Sequence, residues 1–177
     1  MTALPRIDDN DFVLFGLPER HAIDRALLDE RRRDLHSRVH PDRFAAADAA
    51  AQRLAMQWAV RVNQAYQRLG DPLRRAAYLC ELRGAPIDAE RNTAMPAQFL
   101  ARQMQWREAL EDATTLQAVQ QLDEQVAAEE RAALGGLAEE LDARGDTAAA
   151  AAQVRALMFV ARFREDIARR IEALHAR

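Results

Sequence analysis

The 177 residues predict an all-α chain of two small helical domains, and three observations carry that expectation. Apolar residues recur at helical spacing through most of the long stretches. Six glycines and six prolines are too few for the regular tight turns of an all-β fold. Several of them fall between the periodic stretches, at Gly16, Pro18, Gly70, Pro72, Gly84, Pro86 and Gly145, where they stop one helix and start the next.

Residues 1–9 are expected to be loose. Phe12, Val13, Leu14, Phe15 and Leu17 form a short apolar segment closed by Gly16 and Pro18, read as a short first helix. Asp24 is a candidate cap for a second helix, along which Leu27, Leu28, Leu35 and Val39 share a face. Its other face carries Arg31, Arg32, Arg33 and Arg38, positive charge that complements the carboxyl end of the helix dipole. Pro41 disfavours helical backbone at His40 and offers no N–H, so this helix should end near Val39 or His40. A longer helix is expected from about Ala47 to Leu69, with Leu54, Ala55, Trp58, Val62, Ala65, Tyr66 and Leu69 on one broad stripe. The two helices read as an antiparallel pair presenting a His40-Pro41-Asp42 loop. Gly70, Asp71 and Pro72 then supply a helix end, a cap and a first helical residue for a fourth helix reaching about Arg83.

Gly84-Ala85-Pro86 ends that helix, and residues 84–94 read as a linker between a domain over 1–83 and another over 95–177. Pro96 opens a helix running through about Asp112. Thr114 with Gln117 three places on resembles a capping box for the next. Leu116, Val119, Leu122, Val126, Leu134, Leu137 and Leu141 trace its stripe, softened at Gly135-Gly136. Gly145 closes it and Asp146 caps the last helix, whose core face over Thr147 to Ala176 is Leu157, Val160, Ile167, Ile171 and Leu174. The two long helices, roughly 40 Å each at 1.5 Å per residue, are expected to pair antiparallel and to complete a three-helix bundle with the shorter one.

With 49% hydrophobic and 30% charged residues, the chain reads as soluble and globular. All 25 basic residues are arginine, and the net charge of −3 argues against a protein whose main work is holding nucleic acid. The single cysteine, Cys80, excludes an internal disulfide framework and a Cys-x-x-Cys metal site; its apolar neighbours favour a buried structural thiol over a reactive one. No apolar stretch approaches the roughly 20 residues of a membrane span, and the amino terminus lacks a signal-peptide core, so a cytoplasmic location without membrane association is expected. His40 and Asp42 suggest an acid–base pair, yet no phosphate loop, nucleophile motif or pocket signature accompanies them, and the expectation is that the protein is not an enzyme. His36 and His40 share a helix face at metal-ligand spacing, but nothing completes a site, and an incidental pair is the stronger reading.

The string RVHPDRF at 38–44, followed by RVNQAYQRLGDPLRRAAYL at 61–79 and preceded by FVLFGLP at 12–18, resembles a J-domain. The form of the remainder narrows the resemblance to the HscB family of J-domain co-chaperones of iron–sulfur cluster assembly. Residues 1–83 would then be the J-domain. The resemblance implies a DnaK-type ATPase chaperone (HscA-like) as partner: Arg32, Arg33, Arg38 and Arg43 would dock on its acidic surface, and His40, Pro41 and Asp42 would trigger hydrolysis. From periodicity alone the arginines read as a solvated helix face, and it is the resemblance that favours docking. Val39 stands where the family commonly carries tyrosine, Arg32 where it commonly carries an aromatic, and Arg43 where lysine is frequent.

The stretch FLARQMQWREALED at 99–112 resembles the family's client-binding helix. What this implies is a second partner, an IscU-type iron–sulfur scaffold, held by Leu100, Ala101, Met104, Gln105, Glu108, Asp112 and an aromatic from the last helix, Phe159. Ala101 and Gln105 replace a larger apolar and an acidic residue of the family. By spacing alone Leu100 and Met104 read as bundle core, whereas Phe159 falls beside the core stripe of its helix, as a binding anchor should. The implied function is that of an adaptor without a cofactor of its own, stimulating the chaperone's ATPase while delivering the scaffold. A general J-protein for other clients and a non-catalytic helical adaptor are the competing readings.

Overall fold

The structure, a computed structural model, describes residues 5–40, 48–88, 95 and 97–176. Pro41, Asp42 and Arg43, most of the expected linker (89–94) and the helix-opening Pro96 lie outside the described residues. Among those described there are seven α-helices and no strand: α1 Asp11–Phe15, α2 Arg25–Val39, α3 Ala49–Gly70, α4 Pro72–Leu82, α5 Ala97–Asp112, α6 Leu116–Ala138 and α7 Thr147–His175. The all-α expectation holds. The chain divides into two compact units, Met1–Tyr78 and Leu79–Arg177.

In the first unit α2 and α3 run antiparallel, since Arg25 at the start of α2 donates to Gly70 O at the end of α3 (3.0 Å), and Arg32 reaches Asn63 (3.4 Å). Leu28, Leu35 and Val39 of α2 meet Ala55, Val62, Ala65 and Leu69 of α3 in the core, with Phe12, Leu14 and Phe15 of α1 against them. Leu54, expected on the core stripe, stands at its margin and stays 51% exposed. The caps are local chemistry: Asn10, Asp24 and Asp48 each accept backbone N–H groups at the starts of α1, α2 and α3. Gly16, at φ 61°, ends α1 in the left-handed conformation that glycine adopts without penalty. At the α3–α4 corner Asp71 accepts from Arg74 N (2.9 Å) and Pro72 opens α4, as the sequence suggests.

The amino-terminal segment is held by an acid that sequence reasoning missed. Asp11 is fully buried, 2.7 Å from Arg61 and 3.1 Å from Arg68. Arg61 also donates to Ile7 O and Asp9 O, and Tyr78 accepts from Asp11 N. The signal was available in hindsight: an aspartate in the first helical position beside apolar residues, with two arginines a helix-face apart at 61 and 68.

In the second unit α6 and α7 are antiparallel, shown by Gln153 on Ala133 O (2.6 Å) and Arg164 on Asp123 and Glu130. The pKa of Arg164 is raised, first by its hydrogen bond to Asp123, against the cost of desolvation and with help from Glu130. Trp106 of α5, Val119, Leu122 and Val126 of α6, and Val160, Phe163 and Ile167 of α7 form the core. Trp106 and Phe163 stack with centroids 6.0 Å apart. Two local expectations are corrected. Thr115, not Thr114, caps α6, accepting from Ala118 N (3.2 Å), because the cap is the residue immediately before the first helical one. Beyond Ala138 the helix widens into a π-helical stretch, Glu139–Arg144, before Gly145 at φ 66° closes it.

The division between units falls inside α4, ahead of the boundary expected at Gly84. Within the second unit, Cys80 Sγ is 3.9 Å from Thr147 O, Arg83 donates to Leu141 O (2.6 Å) and Arg155 to the carbonyl of buried Ile87 (3.3 Å). The first residues of the expected linker are therefore packed. Cys80 is fully buried, and burial pushes its thiol pKa up to about 11.

Candidate functional site

Two surfaces gather the sequence-derived site residues, one in each unit. On the first unit, α2 ends at His40, whose backbone (φ −62°, ψ 129°) is extended, as a residue before proline requires. His40 and His36 meet edge to face, ring centroids 4.9 Å apart. Among the described residues no group of three metal-ligating side chains occurs.

The arginines of α2 do not all do the same thing. Arg33 and Arg38 are exposed, whereas Arg32 is half-buried. The Arg32 guanidinium lies 4.2 Å from the centroid of the Tyr66 ring, which also carries Arg25 at 4.9 Å. The Tyr66 hydroxyl donates to Asp29 (2.9 Å) and accepts from Arg25 (2.6 Å). The planar guanidinium of Arg32 thus stacks on a ring contributed by α3. Val39 is 5% exposed and fills the core beneath the end of α2 without the phenol hydroxyl of a tyrosine.

On the second unit α5 carries apolar residues on two faces. Phe99, Trp106 and Leu110 turn inward, while Leu100 is 46% and Met104 64% exposed. The core reading that spacing alone favours for these two is corrected: both lie on the surface, because Phe99, Trp106 and Leu110 supply the inward face of α5. Ala101, Gln105, Glu108 and Asp112 are exposed beside them. Phe159 of α7 is half-buried and packs against the bundle core, 5.9 Å from Phe99 at a near-perpendicular angle, with Arg107 of α5 over its ring at 5.5 Å. Gln105 is drawn toward a neighbouring ion pair, accepting from Arg102 (3.2 Å), which itself holds Glu129 at 2.8 Å.

A cleft of about 320 Å³ lies elsewhere in the second unit, lined by Phe99, Arg102, Trp106, Glu129, Ala133 and Leu157 among others. Its charged groups are engaged in ion pairs, Arg102 with Glu129 and Glu130 with Arg164. No histidine, cysteine, serine or threonine lines it, and its two carboxylates, Glu129 and Glu130, are the groups held in those ion pairs. No helix among the described residues is long and apolar enough to cross a membrane.

Comparison with known proteins agrees with this arrangement. Residues 95–168 match the family described as HSCB C-terminal oligomerisation domain. The co-chaperone protein HscB homolog of Burkholderia multivorans is 50% identical over 171 residues, covering 95% of this chain and 97% of its own. That of Cupriavidus taiwanensis is 47% identical over 175 residues, 96% and 97% of the two chains. Among solved structures, chaperone HscB from Vibrio cholerae superposes with a TM-score of 0.84 at 40% identity, over 93% of this chain and 99% of that one. Human co-chaperone protein HscB gives 0.84 at 25% identity, over 92% and 82%. The fold and its hairpin are those of a J-type co-chaperone, and the chain belongs to the HscB co-chaperone family.

Proposed function

We propose that this protein stimulates the ATPase of a specialised, HscA-like DnaK-type chaperone and delivers to it an IscU-type iron–sulfur scaffold, in the cytoplasm and with no cofactor of its own. The observation that carries the reading is the α2–α3 hairpin, with exposed Arg33 and Arg38 leading to His40 at the end of α2, next in sequence to Pro41 and Asp42. In the family-based assignment, Arg32, Arg33, Arg38 and Arg43 dock and the tripeptide triggers. Arg32 acts through its stack on Tyr66 as much as through charge. The protein needs no reactive group for this: contacts that favour the hydrolysis-competent chaperone conformation lower the barrier by differential binding. Exposed Leu100 and Met104, with Ala101, Gln105, Glu108, Asp112 and Phe159, would hold the scaffold. Carrying it on the same chain raises its effective concentration at the chaperone.

Single-turnover ATP hydrolysis by the chaperone, with and without scaffold, tests the reading against the His40→Gln variant. Acceleration by the natural sequence, none by the variant, and synergy with scaffold support it. Acceleration without synergy favours a general J-protein, a reading that exposed Ala101 and the tethered Gln105 make specific, since these are the two departures from the family's client surface. No acceleration leaves a non-catalytic helical adaptor.

A further inference from the structure

The cleft of about 320 Å³ in the second unit has apolar walls: Phe99 and Trp106 from α5, Ala133 from α6, and Ala156, Leu157 and Val160 from α7. Trp106 is 3% exposed, and its indole Nε1 meets no hydrogen-bond partner among the described residues. Buried donors are nearly always paired, so one left open on a residue that lines a cavity calls for an acceptor from outside the fold. The cleft is also distinct from the exposed apolar face of α5. Gln98 and Arg102, which line it, stand about 200° round the helix from Leu100 and Met104, at roughly 100° per residue.

We infer that this cleft is a binding site for a small, neutral aromatic molecule whose one acceptor, a carbonyl oxygen or ring nitrogen, takes the Trp106 N–H. The size fits: pockets for small molecules start at about 300 Å³, and an apolar cavity of about 150 Å³ already admits benzene. Two aromatic side chains stand in the wall, Phe99 and Trp106, with their planes at 81°, so a guest ring can meet one by its face and the other by its edge. Neutrality follows from the rim. Arg102 is held by Glu129 at 2.8 Å and Glu130 by Arg164 at 3.0 Å, so a charged guest would have to break one of these pairs to find its own. Gln153 directs its amide nitrogen to Ala133 O (2.6 Å), which leaves the indole as the unmet buried donor among the cleft's side chains. A single water would serve that donor poorly, because a buried water needs about two to four polar partners and the walls are rings and aliphatic groups.

NMR titration of the isotope-labelled full-length protein with acetophenone and with ethylbenzene tests this, since the two probes share a ring and a chain length and differ in the carbonyl oxygen. Trp58→Phe assigns the two indole resonances. At matched occupancy acetophenone is expected to move the Trp106 indole proton downfield relative to ethylbenzene. Trp106→Phe should weaken acetophenone about fivefold more than ethylbenzene, and Ala133→Leu, which fills the cleft, should remove both. Thermal unfolding midpoints check that each variant folds, and the proton shift is read on the natural protein whether or not Trp106→Phe does. No binding of acetophenone, binding that Ala133→Leu leaves unchanged, equal loss of both probes in Trp106→Phe, or no downfield difference at Trp106 would each overturn the assignment.

Discussion

At Tyr66 two guanidinium groups converge on one ring, and the same phenol ties Asp29 to Arg25. The stretch Arg31-Arg32-Arg33 looks uniform in the sequence, yet only a ring contributed by α3 separates the packed arginine from its neighbours. Arg32→Ala is therefore expected to lower stability by about 0.5–1 kcal/mol, measured by urea unfolding. Arg33→Ala and Arg38→Ala should change it by no more than about 0.5 kcal/mol. They should nevertheless raise the concentration needed for half-maximal ATPase stimulation. Asp11 has the opposite character, a buried charge whose worth depends on its partners. Asp11→Ala strands Arg61 and Arg68 and is expected to cost about 3 kcal/mol, read from the same unfolding curves. Cys80 links burial to pH. Its folded pKa of about 11 exceeds the ordinary 9.0, so the folded chain holds the proton that the unfolded chain releases first. That contribution is complete below about pH 9 and is lost as pH rises through about 11. Urea midpoints of the natural protein should thus fall more steeply over this range than those of Cys80→Ala.

Helices as units were largely legible because their boundaries are written in neighbouring residues. Asp24, Asp71-Pro72, Gly145 and Asp146 act where their backbone chemistry says they should, whereas Gly70 is the last residue of α3 and not a left-handed cap. The capping threonine was misplaced by one residue, and a pair of substitutions separates the two readings. Thr115→Ala is expected to cost about 1 kcal/mol, and Thr114→Ala no more than about 0.5 kcal/mol, in thermal or urea unfolding. The helix α5 was harder to read. Phe99, Trp106 and Leu110 define one apolar face and Leu100 and Met104 another, and periodicity identifies both without saying which meets the bundle. Phe163 was legible and passed over: it stands three residues after Val160 and four before Ile167 on the same stripe, and it stacks on Trp106.

Across the whole molecule the proposed work is divided between two units, each with its own core and its own exposed surface. The α2 surface carries exposed Arg33 and Arg38, so chaperone stimulation should weaken as salt rises from about 0.1 to 1 M, where the screening length shortens from about 10 to 3 Å. The measurement is ATPase stimulation against protein concentration at several ionic strengths, with intrinsic chaperone hydrolysis subtracted. An unchanged half-maximal concentration would remove charge as the docking force. The sequence by itself determined the all-α class, the succession of helices, most of their ends and the position of the tripeptide after a basic helix. Those properties depend on apolar period, on proline and glycine stereochemistry and on caps, all of which act within a few residues. Tertiary structure alone decided that Arg32 packs while Arg33 and Arg38 project, that Asp11 is buried between arginines of α3, and that Leu100 and Met104 face outward. It also decided that residues after Tyr78 pack with the second unit. Each of these depends on side chains brought together from distant parts of the chain, where burial and pairing are properties of the contact and not of either segment alone.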